Sequence, residues 1–357
     1  MVPNSLGPGE LLESYGNDHQ KNKYLPALSD GSFIPCFGLT GPNNGSDATG
    51  SIDTGVLKKG PDGKRYVELT LNKRYITLAP VSNLVGIAFR LNDPDNLLQQ
   101  GRSGVTVALI EGDHHGLEKN TFHNPMNVGF PNGTLKGTIK IDLENIIGGE
   151  KNAGEGWKML MECLAAGRAV SLPASALAAC KVATYGIYVY SQHRKQFNLP
   201  LIKMEAVSNK ISDMVFNTWL IECSTSLTNH LLDRGDRPAV ISALMKQQTT
   251  DRARNVINHG MDIHGGSGIC LGYGNFLEKF YRSAPVSVTV EGSNTLTKNL
   301  IIFGQGLNKS HPHIFNILET ILTDNLDDFK FHLKKQMKYL FLLYAKSCFP
   351  WEGNRLN

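Results

Sequence analysis

The chain has 357 residues, 41% hydrophobic and 19% charged, with a net charge of +4. This is the composition of a globular protein large enough for two or more cores. The near balance of charge, with no Lys/Arg block interleaved with aromatics, speaks against nucleic acid or an anionic membrane as the partner. Cys36, Cys163, Cys180, Cys223, Cys270 and Cys348 are scattered without a C-x-x-C pair. They read as reduced core thiols, with neither a metal site nor a disulfide framework expected. Met1 to Gly7 lacks the basic and apolar parts of a secretory signal, and no uninterrupted apolar run reaches the roughly 18 residues of a membrane span. A cytoplasmic location is the expectation.

In chain order, Leu11, Leu12 and Tyr15, then Tyr24, Leu25 and Leu28, have helical spacing. Asn17 or Asp18 is placed to cap the second helix and Asp30-Gly31 to end it, so a short helical stub is predicted. From about 33 to 147 the pattern becomes strand-like, in runs such as Tyr66 to Leu71, Tyr75 to Leu78 and Val105 to Ile110 between Gly, Pro, Asn and Asp clusters. That punctuation predicts a small β-barrel or sandwich. After Gly154-Glu155-Gly156-Trp157 long helical segments cover about 157–195, 201–233 and 237–260, with a last one near 293–304; joined by short loops, they read as an antiparallel bundle. Phe315 to Phe349 again carries apolar residues at helical intervals among Lys330, Lys334 and Lys335, which predicts the start of a further domain.

One carboxylate, Glu291, stands between the run Val286 to Val290 and the turn residues Gly292-Ser293-Asn294. Flanked by Val288, Val290 and Leu296 it should be poorly solvated, which raises its pKa toward neutrality and strengthens it as a base. Gly292 leaves room for a substrate, and the Glu291 N–H becomes a donor for a carbonyl oxygen. The same residues also read as a strand-to-helix turn with Ser293 or Asn294 as N-cap.

Three other segments accompany it: Ile34-Pro35-Cys36-Phe37-Gly38-Leu39-Thr40-Gly41-Pro42-Asn43-Asn44-Gly45-Ser46-Asp47, then Asn72-Lys73-Arg74-Tyr75-Ile76-Thr77, then Met261-Asp262-Ile263-His264-Gly265-Gly266-Ser267-Gly268 upstream of Arg282. In this order, with Glu291 last, the chain resembles the acyl-CoA dehydrogenases, most of all the bacterial fatty-acid-degradation (FadE) type, from Val2 to about Pro312. The resemblance implies an α+β multidomain chain with the acyl-CoA dehydrogenase fold. Its parts would be a remnant of an N-terminal helical domain at 1–34, a β-barrel middle domain at 35–152, a C-terminal helical bundle at 153–310 and the start of a helical C-terminal extension at 311–357. On this reading the chain is shortened at both ends relative to the family, and weak flavin binding, aggregation and slow turnover are expected.

By motif position the resemblance implies FAD as cofactor, with Phe37, Leu39, Thr40, Tyr75, Ile76 and Thr77 along the isoalloxazine ring. Ser46 would contact FAD or the CoA ester. Ser293 and Thr295 count among the FAD contacts and Gly292 among the substrate contacts. Taken alone, Tyr75 reads equally as core packing and Ser46 as a turn hydroxyl. Arg194 and Gln196 would hold the pyrophosphate of a neighbouring subunit's FAD, with Phe197 on the adenine side; alone, Arg194 is a basic residue answering a helix C-terminal dipole.

The run Gly265-Gly266-Ser267-Gly268 lacks the ending of a P-loop and the spacing of a nucleophile elbow. The resemblance makes Gly265 and Gly266 a close backbone approach to FAD. Many relatives have Gln where this chain has Asp262, and a carboxylate cannot donate as that amide does, so a hydroxyl is its expected partner. Some members carry the base immediately before the position of Arg168; here Leu164-Ala165-Ala166-Gly167-Arg168 has no carboxylate, which leaves Glu291. Arg168 is then a candidate for the CoA phosphate or adenine, or for a bundle salt bridge.

The activity implied is dehydrogenation of a fatty acyl-CoA to the trans-2-enoyl-CoA, the first oxidative step of β-oxidation. Glu291 would take the pro-R α-proton while the β-hydrogen leaves as hydride. The Glu291 N–H and a flavin ribityl hydroxyl would polarise the thioester carbonyl. An electron-transfer flavoprotein is the implied acceptor and a homodimer the implied assembly. A catalytically impaired fragment and an acyl-CoA oxidase are the alternative readings.

Overall fold

A computed structural model describes residues 7–163, 167–236, 239–307 and 311–348 of the chain. Helices α1 (Gly7–Tyr15) and α2 (Asp18–Ser29) come first. Asn17 rather than Asp18 caps α2: its side chain accepts from the Gln20 N–H at 2.9 Å, and the Gln20 side chain accepts from the Asn17 N–H at 3.2 Å. This reciprocal cap satisfies two N–H groups that the first turn leaves without partners. Gln20 is buried, and its amide also donates to the carbonyls of Glu144 and Ile146, both at 2.8 Å, and accepts from Gly148 N–H at 2.9 Å. One side chain thus caps the helix and fastens it to the loop that follows the sheet. Removing it would strand buried polar groups at a cost of about 1–3 kcal/mol.

A seven-stranded mixed sheet follows: β1 (Pro35–Gly38), β2 (Thr54–Lys59), β3 (Arg65–Thr77), β4 (Leu84–Asn92), β5 (Gly104–Glu111), β6 (Phe122–His123) and β7 (Asn132–Asp142). β4 is its hub. One edge pairs antiparallel with β5, while the other pairs parallel with β1 over one half and with β2 over the other. From β2 the sheet continues antiparallel through β3 and β7 to β6.

Both faces of β4 are covered, so it reads as a nearly unbroken apolar run. Val85, Ile87, Phe89 and Leu91 pack with Leu57, Val67, Leu69 and Leu135 on one face. Leu84 and Ala88 pack with Leu11, Leu12, Met159 and Leu160 on the other. β3 alternates cleanly, with Val67, Leu69, Leu71 and Lys73 inward, until its register shifts between Lys73 and Ile76. Tyr75 takes a left-handed φ of 62° at this bulge. The extra residue re-aims the strand: Ile76 turns into the core at 4% exposure, and Tyr75 faces out at 58%.

The bundle comprises α3 (Gly156–Cys163), a π-helical turn at Gly167–Ser171 that leads into α4 (Leu172–His193), α5 (Glu205–Asp233), α6 (Ala239–His264), the short α7 (Gly266–Ile269) and α8 (Glu278–Thr289). A two-stranded hairpin, β8 (Lys195–Gln196) and β9 (Leu199–Pro200), separates α4 from α5. Cys180, Ala183, Ile187, Met214, Ile221 and Val256 form the shared core. Within Gly156–His193 an 18-residue window reaches a mean hydropathy of 1.4, enough by length and composition to cross a membrane; 53% of it is buried inside the protein, as in a bundle core helix.

The structure corrects several expectations. The run before Glu291 is the end of helix α8, not a strand, although Val-Ser-Val-Thr-Val favours extended backbone. Ala284 packs against Ala179 and Ile257 of the bundle, and that tertiary burial overrides local preference. The first long helical segment is described as α3 up to Cys163 and, past 164–166, which lie outside the described residues, as the π-helical turn that continues into α4 and ends at His193. The expected start of the third at 237 also lies outside them, and α6 runs on to His264. Of the six cysteines only Cys36, Cys163 and Cys180 are core residues; Cys223, Cys270 and Cys348 are exposed.

Backbone contacts divide the chain into Met1–Asn294 and Thr295–Asn357. The second unit contains a π-helical segment, Thr297–Leu307, and two helices, Ile314–Leu322 and Leu326–Cys348. His311 and His313 both meet the ring of Tyr339, at 5.4 and 5.8 Å between centroids.

Candidate active site

Glu291 lies in the turn that follows α8, with φ at 56°, and Gly292 follows at 89°. Two successive left-handed residues reverse the chain tightly. The first carries a Cβ, so that position is strained. The carboxylate is 8% exposed, and its Oε2 accepts no hydrogen bond from the described residues. The Glu291 N–H likewise makes no hydrogen bond within them. Acid and amide therefore both remain available to a third party.

Burial pushes the Glu291 carboxyl up to about 7, against the opposing pull of Arg168 and then Lys246, while Glu10 of α1 adds a smaller push in the same direction as burial. Arg168, on the π-helical turn, donates its Nε to the Glu291 carbonyl at 3.0 Å. Among the described residues it enters no ion pair, so it sits beside Glu291 instead of bracing the bundle. Desolvation lowers its own pKa, and Glu291 partly restores it.

Lys246 approaches the same turn from α6. Its Nζ donates to the carbonyls of Val288 at 2.9 Å and Gly292 at 2.8 Å, and to Asn294 Oδ1 at 2.6 Å. Asn294 is held in turn by donating to Thr250 Oγ1 at 2.9 Å and Asp251 Oδ1 at 2.7 Å. Lys246 has no solvent exposure, and burial lowers its pKa to about 8 against the raising influence of Glu291.

The two N-terminal motifs meet at one edge of the sheet. Arg74 N–H donates to the Thr40 carbonyl at 3.0 Å, Arg74 Nη2 to Pro42 O at 3.1 Å and the buried Lys73 Nζ to Leu39 O at 3.2 Å. Lys73 is balanced by Asp53 at 3.0 Å. Leu39-Thr40 and Tyr75-Ile76-Thr77 are thereby fixed side by side. The Phe37 and Ile76 side chains point into the two cores, whereas Tyr75 is exposed, Thr40 and Thr77 are half-buried, and Leu39 is half-buried against the second core. Asn44, 2% exposed, shapes the following loop by donating to Leu39 O and Ala48 O, and leaves Ser46 exposed. Tyr75 stands 5.0 Å from the ring of His123 and 5.0 Å from the Arg74 guanidinium. Arg282 of α8 donates to the Asn127 carbonyl at 2.8 Å. The helix that leads into the Glu291 turn is thus tied to the loop just after β6, the strand that holds His123.

Comparison with known proteins bears on what this arrangement is for. Residues 154–304 match the family model described as acyl-CoA dehydrogenase, C-terminal domain. An acyl-CoA dehydrogenase of Bacillus subtilis (strain 168) is 30% identical over 305 residues, which cover 84% of this chain and 75% of that protein. The chain belongs to the acyl-CoA dehydrogenase family. A 3-(aryl)acrylate reductase of Clostridium sporogenes is 28% identical over 302 residues, covering 84% of this chain and 75% of that protein. Among solved structures, butyryl-CoA dehydrogenase from Megasphaera elsdenii superposes with a TM-score of 0.73 at 26% identity, over 85% of this chain and 76% of that one. The family consists of FAD-dependent oxidoreductases acting on CH–CH groups.

For a member of this family the remaining candidate residues fall in three places. Gly265, at φ 63°, and Gly266 have nothing within 4 Å of where a side chain would project, so their backbone is open to close approach. Asp262 is exposed and accepts from Lys210 Nζ at 2.7 Å, a partner that sequence reasoning did not foresee. Arg194, Gln196 and Phe197 lie at the hairpin beyond α4, all exposed, with Phe197 at 91%. The 22 residues of α4 put that hairpin roughly 33 Å from the Arg168 end of the helix. Ser293 is half-buried beside Glu291, and Thr295 opens the second unit and is exposed.

The residues present fit a flavin and a thioester. One residue offers both an orphaned buried carboxylate oxygen and an unused N–H, an outward aromatic and two threonine hydroxyls stand at the sheet edge, and a glycine pair leaves backbone bare. Lys246, Lys73, Asn44 and Glu10 were missed in the sequence. Both lysines carried a legible signal, because each occupies an apolar register: Lys73 the inward positions of β3, and Lys246 the buried stripe of α6 with Ala243, Thr250, Ala253 and Ile257.

Proposed function

We propose that the chain removes hydrogen from Cα and Cβ of a fatty acyl-CoA thioester, the first oxidative step of β-oxidation, with Glu291 as the base. The observation that carries this reading is the Glu291 turn: a buried carboxylate with an unpartnered oxygen, its own N–H unused and two cations on the turn. FAD, when bound, supplies the acceptor for the hydrogen that leaves Cβ with its electron pair. Glu291 Oε2 takes the α-proton, and the neutral acid that results suits a site that disfavours charge. The thioester oxygen accepts from the Glu291 N–H, which stabilises the charge that develops there as the proton leaves. Leu39, Thr40, Tyr75 and Thr77 would hold the flavin ring. The distance of Arg194, Gln196 and Phe197 from Glu291 supports their serving the flavin of a second copy in a homodimer. Electrons would then pass to an electron-transfer flavoprotein.

The test is anaerobic addition of acyl-CoA esters, from butyryl to palmitoyl, to the purified yellow protein. Bleaching of the flavin band with formation of the trans-2-enoyl-CoA is expected. A flavin-loaded protein bleached by none of these esters would remove the reading, and peroxide formed on admitting air would mark an oxidase instead.

A further inference from the structure

We propose that Lys246 is a positioning residue for proton abstraction: its ammonium straps together the two flanks of the turn and so keeps Glu291 in its left-handed conformation, carboxylate presented to the substrate. The inference rests on Glu291 being the base. An ammonium has three N–H donors, and Lys246 directs all three to this turn, at Val288 O before Glu291 and at Gly292 O and Asn294 Oδ1 after it. Val288 belongs to the last turn of α8, whose C-terminal carbonyls favour a cation. Arg168 adds a fourth bond at the Glu291 carbonyl between those flanks.

A residue with a Cβ does not hold φ at 56° unless its surroundings over-determine it, and here the buried Lys246 and the half-buried Arg168 do so. Lys246 is not a bundle ion pair that happens to lie nearby. Among the described residues no carboxylate is within ion-pair distance of it. Its charge is faced by Glu291, Arg168 and Asp251, while Glu291 is faced by Arg168, Lys246 and Glu10. Loss of a proton from Lys246, near pH 8, would remove one of the three straps.

The experiment compares Lys246→Met and Glu291→Gln in the full chain with its flavin, using butyryl-CoA and palmitoyl-CoA. Lys246→Met should keep flavin content and KM within about threefold, yet slow bleaching about 10- to 100-fold, the loss expected when a base is misplaced by about 1 Å. Two further readouts separate positioning from general support. The alkaline limb of the wild-type bleaching profile, near pH 8, should vanish in the variant. Amide exchange at 288–294 should speed up while the rest of α8 stays protected.

A Lys246→Met protein that bleaches at the wild-type rate with the same profile overturns the proposal, as does one that slows with unchanged exchange in the turn. Undiminished bleaching in Glu291→Gln would instead remove the base itself, before Lys246 is in question. Should Lys246→Met fail to fold, Asn294→Ala removes one acceptor and should move the alkaline limb to lower pH; an unmoved limb there decides against the strap.

Discussion

Among the described residues two lysines are fully buried, one at the sheet edge and one under the Glu291 turn, and they are handled differently. Lys73 faces Asp53 at 3.0 Å and gives one further bond to the Leu39 carbonyl. Burial lowers its pKa, and the carboxylate works against that. Among the described residues Lys246 contacts only neutral acceptors, and burial lowers it to about 8. A buried cation matched by a carboxylate is close to electrically silent beyond its neighbours. One bonded to neutral oxygens keeps its field, and here that field acts on the base. The same residue type is an internal brace in one region and an electrostatic neighbour of the chemistry in the other.

Perturbing both regions should separate these roles. The largest effect belongs to Glu291→Gln, which keeps shape but loses the basic oxygen; stopped-flow flavin bleaching should fall by about two to four orders of magnitude with substrate still bound. Lys73→Met should act on stability instead. Leaving Asp53 without its partner should cost about 3 kcal/mol or more in urea unfolding, with the pH profile of bleaching in the surviving protein unmoved. A displaced profile would show that Lys73 is not silent.

The pH dependence of stability offers a third test. The folded-state value of Glu291, about 7, stands above its ordinary 4.5, so the native state holds the proton more tightly than the unfolded chain. Its contribution is complete below about pH 4.5 and lost as pH rises through 7. Relative to wild type, Glu291→Gln should therefore gain up to about 3 kcal/mol in unfolding free energy between pH 5 and pH 8. Equal pH dependence in the two proteins would mean that the carboxyl is not desolvated. Arg168→Gln removes the nearest cation, so the acid limb of the bleaching profile should move to higher pH and the rate at pH 7 should drop about tenfold.

The smallest effect is expected at the hairpin. Phe197 and Asn198 are also left-handed, at 51° and 64°, but there a two-residue turn imposes the conformation locally. Asn198→Gly should shift the unfolding midpoint by less than about 0.5 kcal/mol, since Asn tolerates that backbone almost as Gly does.

Much of the architecture was legible because periodicity reports burial. Val67, Leu69 and Leu71 announced an inward strand face, and Leu11, Leu12 and Tyr24 a helical one. Glu291 stood out because a carboxylate between apolar residues and a glycine turn has little water to answer it. The order of four motifs carried the family. Lys73 and Lys246 were visible only as polar residues in apolar registers, a pattern that says a lysine is buried but not what receives its protons.

What the sequence determined by itself is the set of elements and the singling out of Glu291, the proposed base, because these depend on neighbours along the chain. What only the tertiary structure decided is the conformation around that base. The run before Glu291 favours strand locally, yet becomes helix because Ala284 is buried against α4 and α6. Glu291 turns left-handed beside donors from residues 45 and 123 positions away in sequence, Lys246 and Arg168. Packing and hydrogen bonding at such separations are set by how helices lie against one another, which no local pattern of residues encodes.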